Sequence, residues 1–312
     1  MTELPKISRT YQSVLLDSRR WDGFVPRADD IVISTSYKGG TTWTQAICGA
    51  LIFQSPHAPG ALDDISPWLD MAAYPLDSVL GRLEAQEHRR YIKTHLPLCA
   101  LPFYEKVKYI FVGRDGRDVW MSMWNHWNNM KPEALAALNK SRGHLGPTLP
   151  TPGDDMGAAF DAWLSTPTFE WEKDGYPFWS HHFHAQSWWD FRHQPNLLFV
   201  HFADLLDDLD GQMRRIAQFL NIEVDEATWT ELVHSVTFKE MQSNARERAP
   251  GGNGGMWKDP QRFFHRGQNR RWEGALTPIQ IQRYEQFVRD TLCPELVDWL
   301  VHDDGFVDPR CI

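Results

Sequence analysis

The sequence predicts an α/β fold, a single domain with a central, mainly parallel sheet flanked by helices, and three observations carry that prediction. Four short apolar runs rich in β-branched and aromatic residues recur along the 312 residues. None alternates polar with apolar positions, as expected for strands covered on both faces. Each is followed by a helical pattern, the order of a parallel sheet with crossover helices.

In chain order the strands are Ile31-Val32-Ile33, Tyr91-Ile92, Tyr109 to Val112 and Leu197 to Val200. Helices are predicted over about Thr42 to Phe53, Asp118 to Met130, His181 to His193, Asp210 to Leu220, Glu226 to Ser235, Pro278 to Thr291 and Glu295 to His302, with ends uncertain by roughly 2–4 residues. Pro278 and Pro294 suit first-turn positions, where the missing N–H costs nothing. Two stretches break the pattern. Residues 141–177 are rich in Pro and Gly around Leu149 to Asp155, and residues 246–271 run through Gly251-Gly252-Asn253-Gly254-Gly255. Irregular segments this long read as lids or binding loops inserted in one domain over 1–312.

Composition narrows the function classes. Apolar residues are 42% and charged residues 23%, a globular balance that excludes disorder. No run of 18 apolar residues suggests a membrane span, and the start lacks the apolar stretch of a secretory signal, so a cytoplasmic location is expected. The net charge of −9 argues against nucleic acid as a partner but allows a local basic pocket. Cys48, Cys99, Cys293 and Cys311 are too far apart for zinc-ribbon or dithiol motifs. Fifteen tryptophans hint at an aromatic pocket for a flat or greasy ligand, although tryptophan also fills cores.

The chemistry begins after the first strand, with Tyr37-Lys38-Gly39-Gly40-Thr41-Thr42-Trp43 leading into a helix. Backbone N–H groups at a helix start are unsatisfied and the dipole favours anions, while the glycines allow close approach. In nucleotide-binding loops that hold magnesium, the lysine follows the last glycine and precedes Ser or Thr. Here Lys38 comes first, so the loop suits phosphate without that geometry, and no metal is expected.

Lys93-Thr94-His95 ends the second strand, on the edge where open α/β sheets bind ligands. A histidine there could take a proton from a hydroxyl, or be structural. The third strand ends in Gly113-Arg114-Asp115-Gly116-Arg117-Asp118, with Ser122 on the helix that follows. Arg114 and Ser122 suit a second anion, and the same charges read equally well as surface pairs and a cap. A third basic cluster, Phe263 to Trp272 with His265, Arg266 and Gly267, could close over a phosphate. His181, His182 and His184 read as a helix surface, since no carboxylate lies at a familiar metal-ligand spacing.

Taken together, these motifs resemble the cytosolic-type sulfotransferases, over about Trp21 to Leu300, with Phe238-Lys239-Glu240-Met241 as a further marker. Ser66-Pro67-Trp68-Leu69-Asp70 and His88-Arg89-Arg90 resemble bacterial members, including glycolipid-sulfating ones. The resemblance implies 3′-phosphoadenosine 5′-phosphosulfate (PAPS) as sulfuryl donor and adenosine 3′,5′-bisphosphate (PAP) as product. It implies that Gly39, Gly40, Thr41 and Thr42 cradle the 5′-phosphate, that Lys38 lies beside the bridging oxygen, and that Trp43 and Phe238 sandwich adenine. Arg114, Ser122, Arg266 and Gly267 would hold the 3′-phosphate. His95 would be the general base with Lys93 near the sulfuryl group, and Ser122 would restrain Lys38 until the acceptor arrives.

Departures from the family pattern are Tyr37 for Pro, Gly39 for Ser, Phe202 for a Tyr and Val236 for a Thr near adenine, and His265 for an Arg beside the 3′-phosphate. Arg270 and Glu273 also replace the usual loop residues, and the dimerisation motif of animal members is lost at Glu273 and Pro278. His265 would make donor affinity pH-dependent, an expectation that equal affinity at pH 5.5 and 8 would refute. The expected acceptor is a small hydroxyl compound, whether phenol, alcohol, steroid-like or glycolipid. Trp120, Trp124, Trp127, Phe160, Trp163, Trp188 and Trp189 could line its pocket or pack the core. A magnesium-dependent phosphoryl transferase and a non-catalytic nucleotide-binding protein are the competing readings.

Overall fold

The computed structural model describes residues 4–248, 255–264, 266–302 and 305–312. Four strands, β1 (Ile31–Thr35), β2 (Tyr91–Thr94), β3 (Lys108–Gly113) and β4 (Leu197–His201), form one sheet in the order β2-β1-β3-β4. All three pairings are parallel, as expected. The helices are α1 (Thr41–Phe53), α2 (Leu62–Ile65), α3 (Leu76–Ala85), α4 (Gly116–Asn129), α5 (Pro132–Arg142), α6 (Met156–Ser165) and α7 (His181–Trp189). They continue with α8 (Phe202–Asp207), α9 (Leu209–Leu220), α10 (Glu226–Ser235), α11 (Phe238–Ser243), α12 (Ala245–Arg248), α13 (Pro278–Thr291) and α14 (Pro294–Val301).

The absence of alternation in the strands has the physical cause anticipated. Ile31, Ile33, Ile110, Val112, Leu198 and Val200 pack with α1, α9 and α10 on one face of the sheet. Val32, Tyr109, Phe111, Leu197 and Phe199 pack on the other, with Trp120 of α4, Trp188 and Trp189 of α7 and Trp299 of α14. Two buried faces remove the alternation, and polar strand residues such as Ser34 and Thr94, near the carboxyl ends, are themselves buried. Trp120, Phe160, Trp163, Trp188 and Trp189 are core residues, at most 1% exposed.

Residues 141–177 are less irregular than expected, because Met156–Ser165 forms a helix there. Phe160 and Trp163 anchor it in the core, and Gln280 of α13 donates to the Gly157 carbonyl at 3.0 Å.

Strand order places the ligand crevice. β1 and β3 are neighbours, but the chain leaves β1 for β2 on one side and reaches β4 beyond β3 on the other. Such a switch point opens a crevice at the carboxyl ends of the strands. The glycine loop after β1, Arg114 after β3 and His95 after β2 all lie on that edge.

Candidate active site

A cavity of about 410 Å³ occupies this crevice. It brings together Lys38, Gly40, Thr41, Thr42, Trp43, Lys93, His95, Arg114, Ser122, Phe202, Phe238, Arg266 and Gly267, residues drawn from seven separate parts of the sequence. Gly39 is buried directly beneath, its N–H donating to the Ser36 carbonyl at 3.2 Å. His265 lies outside the described residues.

The loop is shaped by its backbone. Lys38 has φ 66° and Gly40, the residue capping α1, has φ 118°. A Cβ on Gly40 would come within 3.0 Å of the Phe202 ring, so the glycine serves both its left-handed turn and the close packing. No side chain caps α1, which leaves its first N–H groups facing the cavity for an anion. Thr41 is held by a 2.5 Å bond between its hydroxyl and that of Thr35. Trp43 is fixed by donation from Nε1 to the Val236 carbonyl at 2.7 Å, edge-on to Phe202.

Three cations converge here. Burial, reinforced by Lys93 and Arg114, pulls the Lys38 ammonium down to about 7. Burial also lowers Lys93, whose Nζ lies 4.4 Å from the centre of the Trp68 ring. Arg114 is brought down to about 10 by burial; its guanidinium stacks at 3.9 Å on Phe202, and its buried Nε has no partner. An unpartnered buried donor beside a helix start is a binding site for an anionic oxygen. Phe202, expected among the donor-binding residues near adenine where a Tyr is usual, is the platform that positions Arg114.

The far side of the cavity is built by the late loop. Gly267 has φ 58°, and a Cβ there would lie 2.4 Å from Phe238, so its backbone covers the aromatic ring. Arg271, which the sequence left undistinguished within its basic cluster, lines the cavity too. The backbone N–H groups of Arg270 and Arg271 donate to the Asp118 carboxylate at 2.8 and 3.1 Å. Asp118 therefore anchors this cationic segment to α4.

His95 is 3% exposed, enclosed edge-on by Trp68 and Tyr37. Its Nδ1 lies 2.9 Å from the Thr35 carbonyl, which can only accept. Nδ1 therefore carries the proton, and Nε2 keeps its lone pair. Burial, then Lys93, holds the ring well below the usual histidine range. Asp70 beneath it accepts from Trp68 Nε1 at 2.8 Å, Trp21 Nε1 at 3.2 Å and the His95 N–H at 3.5 Å.

The three histidines of α7 are not a surface. All are at most 3% exposed. His181 bonds Ser36 Oγ at 2.6 Å, His184 bonds Ser34 Oγ at 3.1 Å, and His182 bonds Asp174 at 2.7 Å. His184 and His181 brace β1 and the glycine loop, and His182 ties α7 to Asp174, which accounts for polar residues inside the core.

The rest of the cavity is mainly apolar, with Asp63 and His126 as its polar members. Leu15, Tyr37, Trp68, Met71, Tyr74, Met130, Leu135, Leu138, Met256, Trp257 and Phe263 line it. None of the seven tryptophans and phenylalanines expected there contributes, and no lining residue comes from 141–177, whereas 246–271 supplies seven. Among the described residues His201, Asp204 and His302 also cluster. Both ring nitrogens of His201 are occupied, by the Leu300 carbonyl and the Ala203 N–H, so the cluster clamps α14 to β4.

Comparison with known proteins agrees with this geometry. A family model described as the sulfotransferase domain matches residues 28–296. A glycolipid sulfotransferase of Mycobacterium tuberculosis (strain ATCC 25177 / H37Ra) is 34% identical over 322 residues, covering 99% of each chain. Rat sulfotransferase 1A1 is 27% identical over 281 residues, covering 86% of each. Among solved structures, mouse sulfotransferase SULT7A1 complexed with PAP aligns with a TM-score of 0.66 at 21% identity, covering 94% of this chain and 91% of the other. Retinol dehydratase complexed with retinol and PAP aligns with a TM-score of 0.69 at 21% identity, covering 88% and 84%. The fold and site thus define a sulfuryl-transfer enzyme. The chain belongs to the sulfotransferase family, which sets aside the phosphoryl-transfer and purely nucleotide-binding readings. Among the described residues no helix is long and apolar enough to cross a membrane.

Proposed function

We propose that the protein moves a sulfuryl group from PAPS to a hydroxyl of an apolar acceptor of the glycolipid or lipid-alcohol class, with His95 as general base. The observation that carries the reading is the tautomer of His95. Its Nδ1 proton is committed to the Thr35 carbonyl, so the free lone pair on Nε2 belongs to a residue lining the cavity. A ring kept neutral by burial is ready to accept the acceptor's proton at pH 7.

The residues present fit PAPS, which supplies the sulfuryl group when bound. Gly40, Thr41 and Thr42 at the start of α1 hold the 5′-phosphate. Arg114, through its unpartnered Nε, holds the 3′-phosphate with Ser122, Arg266, Gly267 and Arg271. Trp43 and Phe238 flank the adenine, while Lys38 and Lys93 neutralise charge on the bridging and sulfuryl oxygens. The acceptor class is supported by the thioethers of Met71, Met130 and Met256 with Tyr74, Leu135 and Leu138, an adaptable apolar wall. The glycolipid sulfotransferase relative points the same way. The chain acts as one domain, in which Met256, Trp257, Phe263, Phe264, Arg266, Gly267 and Arg271 cover the donor and part of the acceptor.

The test is H95A, assayed in excess EDTA with PAPS and a panel of lipid alcohols and glycolipids. Transfer should fall by about 10²–10⁴ while PAP binding stays within about twofold. Near-normal transfer by H95A would remove it as the base, and loss of wild-type activity in EDTA would reinstate a metal.

A further inference from the structure

A second cavity, of about 430 Å³, shares no lining residue with the first. Helices α1 and α11 contribute to both. Thr41, Thr42 and Trp43 of α1, with Phe238 and Met241 of α11, line the donor cavity. Gln45, Gly49 and Ala50 of α1, with Glu240 of α11, line the second. A water molecule occupies about 30 Å³ of the liquid, so the space is many times larger than one water needs and lies in the size range of ligand sites.

Two buried polar atoms of this lining have no partner, Tyr91 Oη and Gln45 Oε1. Tyr91 is fully buried and Gln45 is 1% exposed. The amide is oriented by its other end, where Nε2 donates to the Ser66 carbonyl at 2.9 Å and to Ser66 Oγ at 2.8 Å. A carbonyl only accepts, so Oε1 is the end left over, and it requires a donor. Gly49 keeps the approach to Tyr91 open, since a Cβ there would lie 2.9 Å from Oη. Burial raises the Tyr91 hydroxyl well above the usual tyrosine range, so it stays neutral and can donate or accept. Ala50, Leu62 and Ile65 add buried apolar surface, while Glu231, Glu240 and Arg248 bring charges of both signs to the more exposed rim. A charged ligand group would lose its hydration at the depth of Tyr91 and Gln45 without meeting an opposite charge. Neutral hydroxyls satisfy both atoms.

We propose that this second cavity binds a neutral polyhydroxyl ligand, a small sugar or cyclitol, through Gln45 Oε1 and Tyr91 Oη, and that its occupancy tightens the donor site. The C–H faces of such a ligand pack on Ala50, Leu62 and Ile65, and its outer hydroxyls meet the charged rim. It is distinct from the sulfuryl acceptor, because His95 lines the first cavity and not this one. A ligand held between α1 and α11 fixes the spacing of the two helices that carry Trp43 and Phe238. Adenine then enters a wall already ordered, which favours binding. The effect is reciprocal, so PAP tightens the sugar by the same factor. The linkage, though not the site itself, rests on the assignment of Trp43 and Phe238 to adenine.

The experiment titrates the full chain with glucose, maltose and myo-inositol by ligand-observed NMR, with and without saturating PAP, in wild type, Y91F and E231W. At least one probe should bind saturably with a Kd of millimolar order and remain bound when PAP is added. Y91F should weaken it about tenfold while leaving the Tm of the free protein level or raised, because the substitution removes an unpartnered hydroxyl. E231W, which narrows the mouth from an exposed position, should weaken it as well and serves if Y91F fails to fold. The Kd for PAP should fall about fivefold at saturating sugar. No saturable binding of any probe up to about 50 mM, or binding that a folded Y91F and E231W both retain, would overturn the site. Displacement of the sugar by PAP would place it in the catalytic cavity and overturn the site too. Sugar binding with an unchanged Kd for PAP would overturn the linkage, and wild-type PAP binding by F238A would overturn instead the adenine assignment beneath it.

Discussion

Replacing Gly267 by alanine tests the donor site at its most demanding point. At φ 58° an alanine pays about 1–2 kcal/mol that glycine does not. Its Cβ would also stand 2.4, 2.5 and 2.6 Å from three carbons of Phe238, where ordinary contact begins near 3.4 Å. The ring must therefore retreat by about 1 Å, beyond what a well-packed contact tolerates. Stacking of a base on an aromatic ring is worth about 1–3 kcal/mol, and a displaced ring forfeits part of it. The strain burdens free and bound protein alike and lowers stability, so the loss in binding is the stacking share, about 2 kcal/mol, or a roughly 30-fold weaker Kd for PAP by calorimetric titration. Since that damage passes through Phe238, it should vanish when G267A is added to F238A. An equal loss in both backgrounds, or G267A binding PAP like wild type, would refute the assignment of Phe238 to the adenine.

Two further predictions concern the charges. Lys38 titrates near 7 in the free protein because it is buried beside Lys93 and Arg114; a bound phosphate favours the ammonium and raises that value. PAP binding should therefore take up nearly one proton at pH 8 and almost none at pH 6, read by calorimetry in buffers of different ionisation enthalpy, and K38M should abolish the difference. Asp118 accepts from the backbone of Arg270 and Arg271, so D118A should loosen the segment beside the 3′-phosphate. Loss of two bonds to a buried carboxylate, about 1–3 kcal/mol, weakens PAP by roughly 5- to 160-fold and should leave adenosine 5′-monophosphate nearly unchanged.

The strands and the donor loop were legible because local chemistry determines them. Doubly buried strands read as continuous apolar runs, and a left-handed turn before a helix needs glycine. Helix α3 carried a readable signal in Leu76, Val79, Leu80 and Leu83, spaced along one face behind Pro75, and α5 had Pro132 at its first turn. Helix α6 carried one too, in the Asp155 cap and in Met156, Phe160, Trp163 and Leu164 at helical spacing. The histidines of α7 were misread because a polar residue inside a core is recognised only by its partner, and Ser34 and Ser36 are 150 and 145 residues away. His126 was missed for the same reason, although its place four residues after Ser122 on one helix face was available as a clue. The acceptor wall depends on where 246–271 folds back, which no local pattern encodes.

The donor-free site is electrostatically unfinished. Lys38, Lys93 and Arg114 are each shifted toward their neutral forms by burial, so folding concentrates positive charge where solvent cannot screen it. For Lys38 the unfolded chain binds the proton more tightly than the folded one. Its contribution to stability therefore rises with pH, across the window from about 7 to the usual lysine value. Phosphates at both ends of one nucleoside remove this penalty at two places, which an acceptor hydroxyl cannot do. Donor should thus stabilise the fold far more than acceptor. At a hundredfold excess over its Kd, PAP adds about 2.7 kcal/mol, a rise of several degrees in Tm by calorimetric scanning. The rise should shrink in high salt and be small for adenosine, which lacks both phosphates. A shift with adenosine as large as with PAP at equal concentration would mean that the aromatic platform, and not the buried cations, is what the nucleotide completes.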